Sequence, residues 1–237
     1  MNWKYNKLTW FVRQRMWSFG LDICSYPNMA AMLAQCDFLV DVGANVGGFV
    51  AQVRRFGYRG PVTCFEPSPA VFKKLCERND CEKQNVALSD RIAIQKFYMR
   101  SRDCTGDGLM RNGFDGESFL LETKRLDSFR FGPARRIFLK VDTEGHDLAV
   151  MRGATGLVDW IRFVMMETPV IPRFEGEPDF ATNIVEMRKL GFVVTNFVGN
   201  IFEASRQRSQ AFDLIFEPKG QVSNAELCDA ATKDQKP

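Results

Sequence analysis

The sequence predicts an α/β fold built on a doubly wound, mostly parallel sheet. Three observations predict it. A first apolar run ends at an acid, a second apolar run does the same, and strand-like and helix-like segments alternate after them. The first run is FLVDVGANVGG, residues 38–48, and the second is VTCFEP, residues 62–67. Because parallel strands of such a sheet bring their last residues to one crevice, we expect Asp41 and Glu66 to lie beside a shared nucleoside site.

The turn after the first strand consists of small residues. Gly43 and Gly47 can adopt turn conformations that are costly for other residues. Asn45 tolerates a positive φ, and Ala44 has almost no bulk. Such a turn lets backbone amides, and the positive end of the helix predicted over about residues 46–56, come close to a bound ligand.

The residues at the two strand ends favour one kind of cofactor. A nicotinamide-binding loop needs glycine where this chain has Asn45, which weakens a dehydrogenase interpretation. The carboxylate of Asp41 suits an ammonium group, and Glu66 can accept hydrogen bonds from two ribose hydroxyls. S-adenosylmethionine carries both groups and has no phosphate. In the alternative interpretation, the glycines form only a tight turn and the acids are solvated caps.

The later segments continue the alternation. Further helices are predicted over about residues 29–36, 69–79, 148–153 and 179–190, and further strands over 84–88, 92–99, 121–127, 136–142, 161–167, 192–197 and 212–216. Ser68 and Pro69 are typical of a helix start, and Gly191 of a helix end. The Gly- and Asp-rich residues 103–116 lack periodicity and are predicted to form a mobile lid, with a disordered surface insertion as the alternative. The Pro-rich residues 168–178 suit a substrate wall.

A dense polar cluster follows the strand predicted over residues 136–142. Asp142 ends that strand and should face the reactive end of the cofactor, and Glu144 follows it. We expect Asp147 to be the N-cap of the next helix. His146 is the only histidine of the chain, which excludes a multi-histidine metal site. Its position beside these acids supports a catalytic or substrate-contact role as well as a structural one.

Glu167 ends the next predicted strand at the same edge of the sheet. Together with Asp142 it could bind Mg²⁺, or one of the two could orient a substrate hydroxyl as a general base. Because the further oxygen ligands that Mg²⁺ needs cannot be identified in the sequence, no metal site is predicted.

Composition is that of one globular catalytic domain. The chain has 237 residues, of which 45% are hydrophobic and 26% charged. A net charge of +3 is too small to indicate nucleic-acid binding. The seven cysteines lack the spacing of metal ligands or of a disulfide framework, so we expect reduced thiols and a cytoplasmic location. No signal peptide or membrane-spanning run is visible.

Three regions are predicted: an N-terminal helical arm at residues 1–37, a catalytic domain at 38–217 and a polar, disordered tail at 218–237. The arm carries four basic residues and three tryptophans at a spacing of seven, which would share one helix face. We expect this face to pack on the catalytic domain or on a partner subunit, as in a homodimer. Peripheral contact of residues 1–20 with a membrane is the alternative.

Four motifs, in this order, resemble those of the FkbM-type methyltransferases. They are DVGANVG at residues 41–47, FEPSP at 65–69, NVALSD at 85–90 and LKVDTEG at 139–145. The resemblance extends over roughly residues 38–217. It implies a Rossmann-like fold of the class I methyltransferase type, S-adenosylmethionine as cofactor, and methyl transfer to a hydroxyl oxygen of a sugar, glycan or small metabolite.

The resemblance also implies roles for individual residues. The first motif would surround the methionine portion of the donor, Glu66 would hold its ribose, and Ala87 with its neighbours would border its adenine. The predicted cofactor-binding residues are Asp41, Gly43, Ala44, Asn45, Gly47, Glu66, Pro67, Ala87, Leu88 and Asp142. The predicted catalytic residues are Asp142, Glu144 and His146. Methylation of nucleic acid or protein, and a nicotinamide-dependent oxidoreductase, remain the alternatives.

Overall fold

A computed structural model describes residues 29–99, 107–111, 116–203 and 208–222. Most of the predicted N-terminal arm and tail, and much of the predicted lid, lie outside the described residues. The described part contains ten strands and five α-helices. The strands are β1 (Phe38–Val42), β2 (Val62–Phe65), β3 (Glu82–Gln84), β4 (Ala87–Leu88), β5 (Ala93–Tyr98), β6 (Ser118–Lys124), β7 (Ile137–Val141), β8 (Ile161–Pro169), β9 (Phe192–Glu203) and β10 (Arg208–Pro218). The helices are α1 (Met29–Leu33), α2 (Gly48–Arg55), α3 (Pro69–Leu75), α4 (Asp147–Arg152) and α5 (Phe180–Lys189).

The main sheet confirms the predicted α/β class. Its strand order is β3-β2-β1-β7-β8-β10-β9, and β2, β1, β7 and β8 pair in parallel. β10 lies between β8 and β9 and runs antiparallel to both. All five residues of β7 are buried, as expected for a central parallel strand.

The register of the central strands sets the position of the site. Val42 of β1 is paired with Phe65 of β2 on one side and with Val141 of β7 on the other. The three strands therefore end at the same level, and Gly43, Glu66 and Asp142 follow them side by side.

Apolar side chains pack on both faces of this sheet. Alternate residues of a strand point to opposite faces. On one face Val40 packs with the residues of β7 and α4, and on the other Leu39 packs with α1 and α2. No helix within the described ranges is long and apolar enough to cross a membrane.

The prediction of a single strand over residues 84–88 is wrong, because these residues belong to two different sheets. β3 is paired with β2 in the main sheet, whereas β4 belongs to a second sheet with the order β4-β6-β5. The side chain of Asn85 donates hydrogen bonds to the carbonyls of Glu66 (2.8 Å) and Pro67 (3.2 Å), and so fixes the chain where it leaves the main sheet.

Two helix boundaries also differ from the prediction. The helix predicted to reach residue 79 ends at Leu75. The prediction of Asp147 as N-cap is wrong, because His146 is the N-cap and Asp147 is the first helical residue. The Asp147 carboxylate instead accepts a hydrogen bond from the backbone N–H of Thr143 (3.0 Å), which fixes the turn after β7.

Candidate active site

A cavity opens at the carboxyl ends of β1, β2 and β7, with the second sheet as one wall. It contains about 670 Å³ of space not filled by atoms, including open solvent at its mouth. The lining residues are Val42, Gly43, Asn45, Phe65, Glu66, Pro67, Val86, Ala87, Leu88, Phe97, Asp107, Gly108, Leu109, Asp142, Thr143, Glu144 and His146.

The turn after β1 is fixed to both neighbouring strands. The N–H groups of Gly43 and Ala44 donate to the carbonyl of Phe65, each at 3.0 Å. Gly43 has a φ of +74°, and a Cβ there would lie 1.8 Å from the carbonyl oxygen of Asp142. Asn45 also has a positive φ, of 48°. The turn therefore requires glycine at position 43, and its backbone forms part of the cavity wall.

Glu66 reaches the cavity with its carboxylate already oriented. One oxygen accepts from the backbone N–H of Asn45 and the other from that of Ser68, both at 2.9 Å. Burial raises the pKa of Glu66 to about 7, although these two N–H groups oppose the rise. Each carboxylate oxygen has a second lone pair, so Glu66 can still accept two hydrogen bonds from a ligand.

The second sheet gives the cavity an apolar slot. Val86, Ala87 and Leu88 line it together with Phe97 of β5. Ala87 and Leu88 are almost fully buried, so this wall is part of the core. An apolar slot beside the Glu66 carboxylate suits a flat heterocycle attached to a sugar.

Two carboxylates lie on the wall that follows β7. The Asp142 side chain is 38% exposed, and its Oδ2 lies 3.2 Å from the ammonium of Lys140. Glu144 has a φ of +55°, and its Oε2 lies 3.9 Å from the guanidinium of Arg173. Asp142 is therefore the more accessible acid at the end of a central strand, where a substrate hydroxyl could approach it.

His146 lines the same cavity but is engaged with Ser89. Its Nε2 lies 2.9 Å from Ser89 Oγ, and Ser89 Oγ donates to Asp90 Oδ1 at 3.1 Å. Because the hydroxyl has one proton, the histidine must donate from Nε2, which leaves Nδ1 as an acceptor. Burial lowers the pKa of His146 to about 4, against the opposing effect of Asp90. The ring is therefore neutral at neutral pH.

Asp41 does not reach the cavity. Its side chain is 0% exposed, and its Oδ1 lies 3.3 Å from Lys140 Nζ. Burial raises the pKa of the Asp41 carboxyl, and Lys140 offsets part of that rise. The predicted contact between this carboxylate and a ligand ammonium is therefore not available in this structure.

Ala44 and Gly47 are also not part of the lining. Ala44 is buried in the core beneath the turn. Gly47 has a φ of +84° at the N-cap of α2, and a Cβ there would lie 2.4 Å from Arg78 Cδ. Both residues shape the turn. The other predicted site residues all line the cavity: Gly43, Asn45, Glu66, Pro67, Ala87, Leu88, Asp142, Glu144 and His146.

Glu167 is buried beside the cavity rather than in its lining. Its Oε1 lies 2.5 Å from the guanidinium of Arg173, so an arginine and not a metal is its counter-ion. Burial and the nearby Asp142 raise the pKa of Glu167, and Arg173 opposes this rise. In the described ranges, no group of three or more His, Cys, Asp or Glu side chains could hold a metal ion.

Sequence reasoning missed Ser89, Lys140 and Arg173. Lys140 had a visible signal, because a charged residue in the middle of an apolar strand needs a buried partner. Ser89 and Arg173 had none, since their partners His146 and Glu167 come from other segments of the chain.

Comparison with known proteins identifies related sequences and folds. Residues 41–194 match the model of the methyltransferase FkbM domain. A protein named Methyltransferase 1, from Beauveria bassiana, is 25% identical over 203 residues, which are 73% of this chain and 76% of the relative. A putative S-adenosylmethionine-dependent methyltransferase from Listeria monocytogenes matches with a TM-score of 0.47 and 8% identity, over 77% of this chain and 91% of that one. The 1,6-didemethyltoxoflavin-N1-methyltransferase of Burkholderia thailandensis matches with a TM-score of 0.45 and 13% identity, over 90% and 89%.

Proposed function

Because the chain belongs to the FkbM methyltransferase family, we propose that it methylates a hydroxyl oxygen of a sugar, glycan or small metabolite. The enzyme is a methyltransferase, and its methyl donor is S-adenosylmethionine. The observation that carries the acceptor proposal is the exposed carboxylate of Asp142, which lies in the same cavity as the Gly43 turn and Glu66.

The residues of the cavity fit this donor. Gly43 lines the cavity with its backbone alone, because the Asp142 carbonyl lies where its side chain would begin. Glu66 has the two acceptor positions that a ribose diol needs, and the apolar slot suits an adenine. These features support the roles that we propose for Gly43, Glu66 and Ala87 in holding the donor.

The charge of the lining favours a cationic ligand over a phosphate. The described residues that line the cavity include four acids, Glu66, Asp107, Asp142 and Glu144, and no lysine or arginine. Lys140 and Arg173 lie against Asp142 and Glu144, but none of the described lining residues is a cation that could hold a phosphate. The lining therefore suits a positive sulfonium better than a dinucleotide, which supports the methyl donor over the nicotinamide alternative.

The donor supplies a methyl group activated by its positive sulfur, and the protein must place an oxygen in line with it and exclude water. We assign Asp142 to orient the acceptor hydroxyl and accept its proton, because this carboxylate is exposed in the cavity. His146 is a weak proton acceptor, since burial lowers its pKa to about 4 and its Nε2 is already engaged with Ser89. Its Nδ1 and Glu144 are assigned to hydrogen bonding around the transfer site.

Methyl transfer from labelled S-adenosylmethionine into a panel of glycans, lipids and small hydroxylated metabolites tests the proposal. We expect label in at least one hydroxylated acceptor, and an Asp142→Asn variant that binds S-adenosylhomocysteine normally but turns over about 100-fold more slowly. Label found only in RNA or protein would refute the acceptor class. Normal turnover by Asp142→Asn would refute the role of Asp142.

Binding of S-adenosylhomocysteine should depend on pH through Glu66. The pKa of Glu66 is about 7, and the ribose binds the ionised carboxylate. Below pH 7, the Glu66 carboxyl must therefore release a proton when the ligand binds. We expect the Kd to be constant above pH 7 and to rise by up to about tenfold per pH unit below it. Calorimetry in buffers of different ionisation enthalpy measures the released proton, which a Glu66→Gln variant should not release.

The location and assembly are also proposals. The described cysteines, Cys36, Cys64, Cys76 and Cys81, are all free, which supports a reducing compartment and so the cytoplasm. A homodimer or a peripheral membrane contact would depend on the N-terminal arm, most of which lies outside the described residues.

A further inference from the structure

Lys140 is a charged residue in the middle of a buried strand. It lies in β7, whose other residues are all apolar, and its side chain is only 10% exposed. Burying an ammonium is costly unless it is paired and hydrogen-bonded. A leucine or valine would satisfy the packing of such a strand, so the lysine needs another explanation.

The contacts of the Lys140 ammonium supply one. Its Nζ lies 3.3 Å from Asp41 Oδ1, 3.2 Å from Asp142 Oδ2 and 3.2 Å from the carbonyl oxygen of Gly43. Of these groups, the Gly43 carbonyl accepts a hydrogen bond from the ammonium, and the two carboxylates lie within ion-pair distance of it. Two of the three, on Gly43 and Asp142, belong to residues that line the cavity.

We propose that Lys140 is a positioning residue, which holds the Gly43 turn and the Asp142 carboxylate together from beneath the cavity. Asp41 is its buried counter-ion and does not contact the donor. This assignment rests on the proposed function, because it gives Lys140 a role in placing the groups that bind the donor and the acceptor.

The electrostatics of the site agree with this role. Burial alone would lower the pKa of Lys140, but Asp142 and Asp41 together raise it above its ordinary value. The ammonium is therefore charged throughout the working pH range and can hold both groups constantly. Asp41 is the register partner of Lys140 across the β1–β7 pair, so the two charged residues lie side by side in the sheet.

A purely structural ion pair makes a different prediction from a positioning residue. If Lys140 only neutralised Asp41, then removing both charges would leave the site intact. Replacing a buried ion pair by apolar residues of similar volume is often neutral for stability. The double variant Asp41→Leu/Lys140→Met, which we call the neutral pair, therefore separates the two roles. If it does not fold, Asp41→Asn/Lys140→Gln replaces it.

The experiment is calorimetry of S-adenosylhomocysteine with the full chain, together with thermal unfolding and a kcat against KM analysis. We expect the neutral pair to fold but to bind at least about tenfold more weakly, because the Gly43 turn is no longer held, and to have a lower kcat, because Asp142 is no longer held. Asp41→Asn alone should keep the wild-type Kd within about threefold, since Lys140 retains Gly43 and Asp142. In a protein that already carries Asp142→Asn, adding the neutral pair should lower kcat only a little further.

Two results would overturn the proposal. Wild-type affinity and turnover in a folded neutral pair would make Lys140 a structural counter-ion only. A loss of affinity in Asp41→Asn as large as that of the neutral pair would assign Asp41 to the donor. Failure of the proposed function is distinguishable, because the wild-type protein itself would then not bind S-adenosylhomocysteine or label any hydroxylated acceptor.

Discussion

Gly43→Ala is expected to weaken the binding of S-adenosylhomocysteine by about 100-fold or more. The new Cβ would lie 1.8 Å from the carbonyl oxygen of Asp142, and that contact is with backbone, which cannot rotate away. The φ of +74° adds strain of its own for any residue with a side chain. The turn must therefore move away from β7. Calorimetry on material with a cooperative thermal transition measures the loss.

The matched control is Gly48→Ala, five residues further along the same segment. A Cβ at Gly48 would meet no atom within 4 Å, and this glycine is the first residue of α2. We expect an unchanged Kd and a stability equal to wild type or higher by up to about 1 kcal/mol. A Gly43→Ala protein with wild-type affinity would show that the donor does not bind against this turn.

Glu66→Gln is expected to have the second largest effect, with S-adenosylhomocysteine bound about 100-fold more weakly. Both carboxylate oxygens accept from backbone N–H groups, those of Asn45 and Ser68. The amide NH₂ of glutamine would have to face one of these donors, so the side chain would turn and a buried N–H would lose its partner. The hydrogen bonds to the ribose would be lost as well.

Glu77→Gln is the control for this substitution. Glu77 is exposed just after α3 and does not line the cavity, so its affinity and pH dependence should match those of wild type. If Glu66→Gln kept the wild-type Kd, then the ribose would have to bind elsewhere. The expected pH dependence of donor binding would then also need another titrating group.

The sequence was sufficient to predict the sheet and most of the cavity wall. Apolar runs that stop at Asp41, Glu66 and Asp142 mark strand ends to within one residue, and the register of β1, β2 and β7 brings these ends together. Asp41 was assigned to the wrong environment, because neighbouring residues of a strand face opposite sides of the sheet. The strand continues to Val42, which lines the cavity, so Asp41 faces the opposite side of the sheet, where Leu39 packs with α1 and α2.

The polar pairs around the site could not be predicted, because they join distant segments. His146 was grouped with Asp142 and Glu144 from their spacing, but its hydrogen-bond partner is Ser89, which is 57 residues earlier. Glu167 was considered as a metal ligand, and its counter-ion Arg173 comes from the following Pro-rich connection. Spacing along the chain shows which groups end strands, but not which side chains meet above them.

The position of β10 has a consequence for biosynthesis. This strand, residues 208–218, is the last of the described strands along the chain but lies inside the sheet, between β8 and β9. While the ribosome has not yet released it, β8 has an open edge with a row of unpaired backbone groups. Domains form as units during synthesis. A nascent chain stalled before residue 208 would therefore lack the strand between β8 and β9, and would be expected to engage chaperones until β10 inserts.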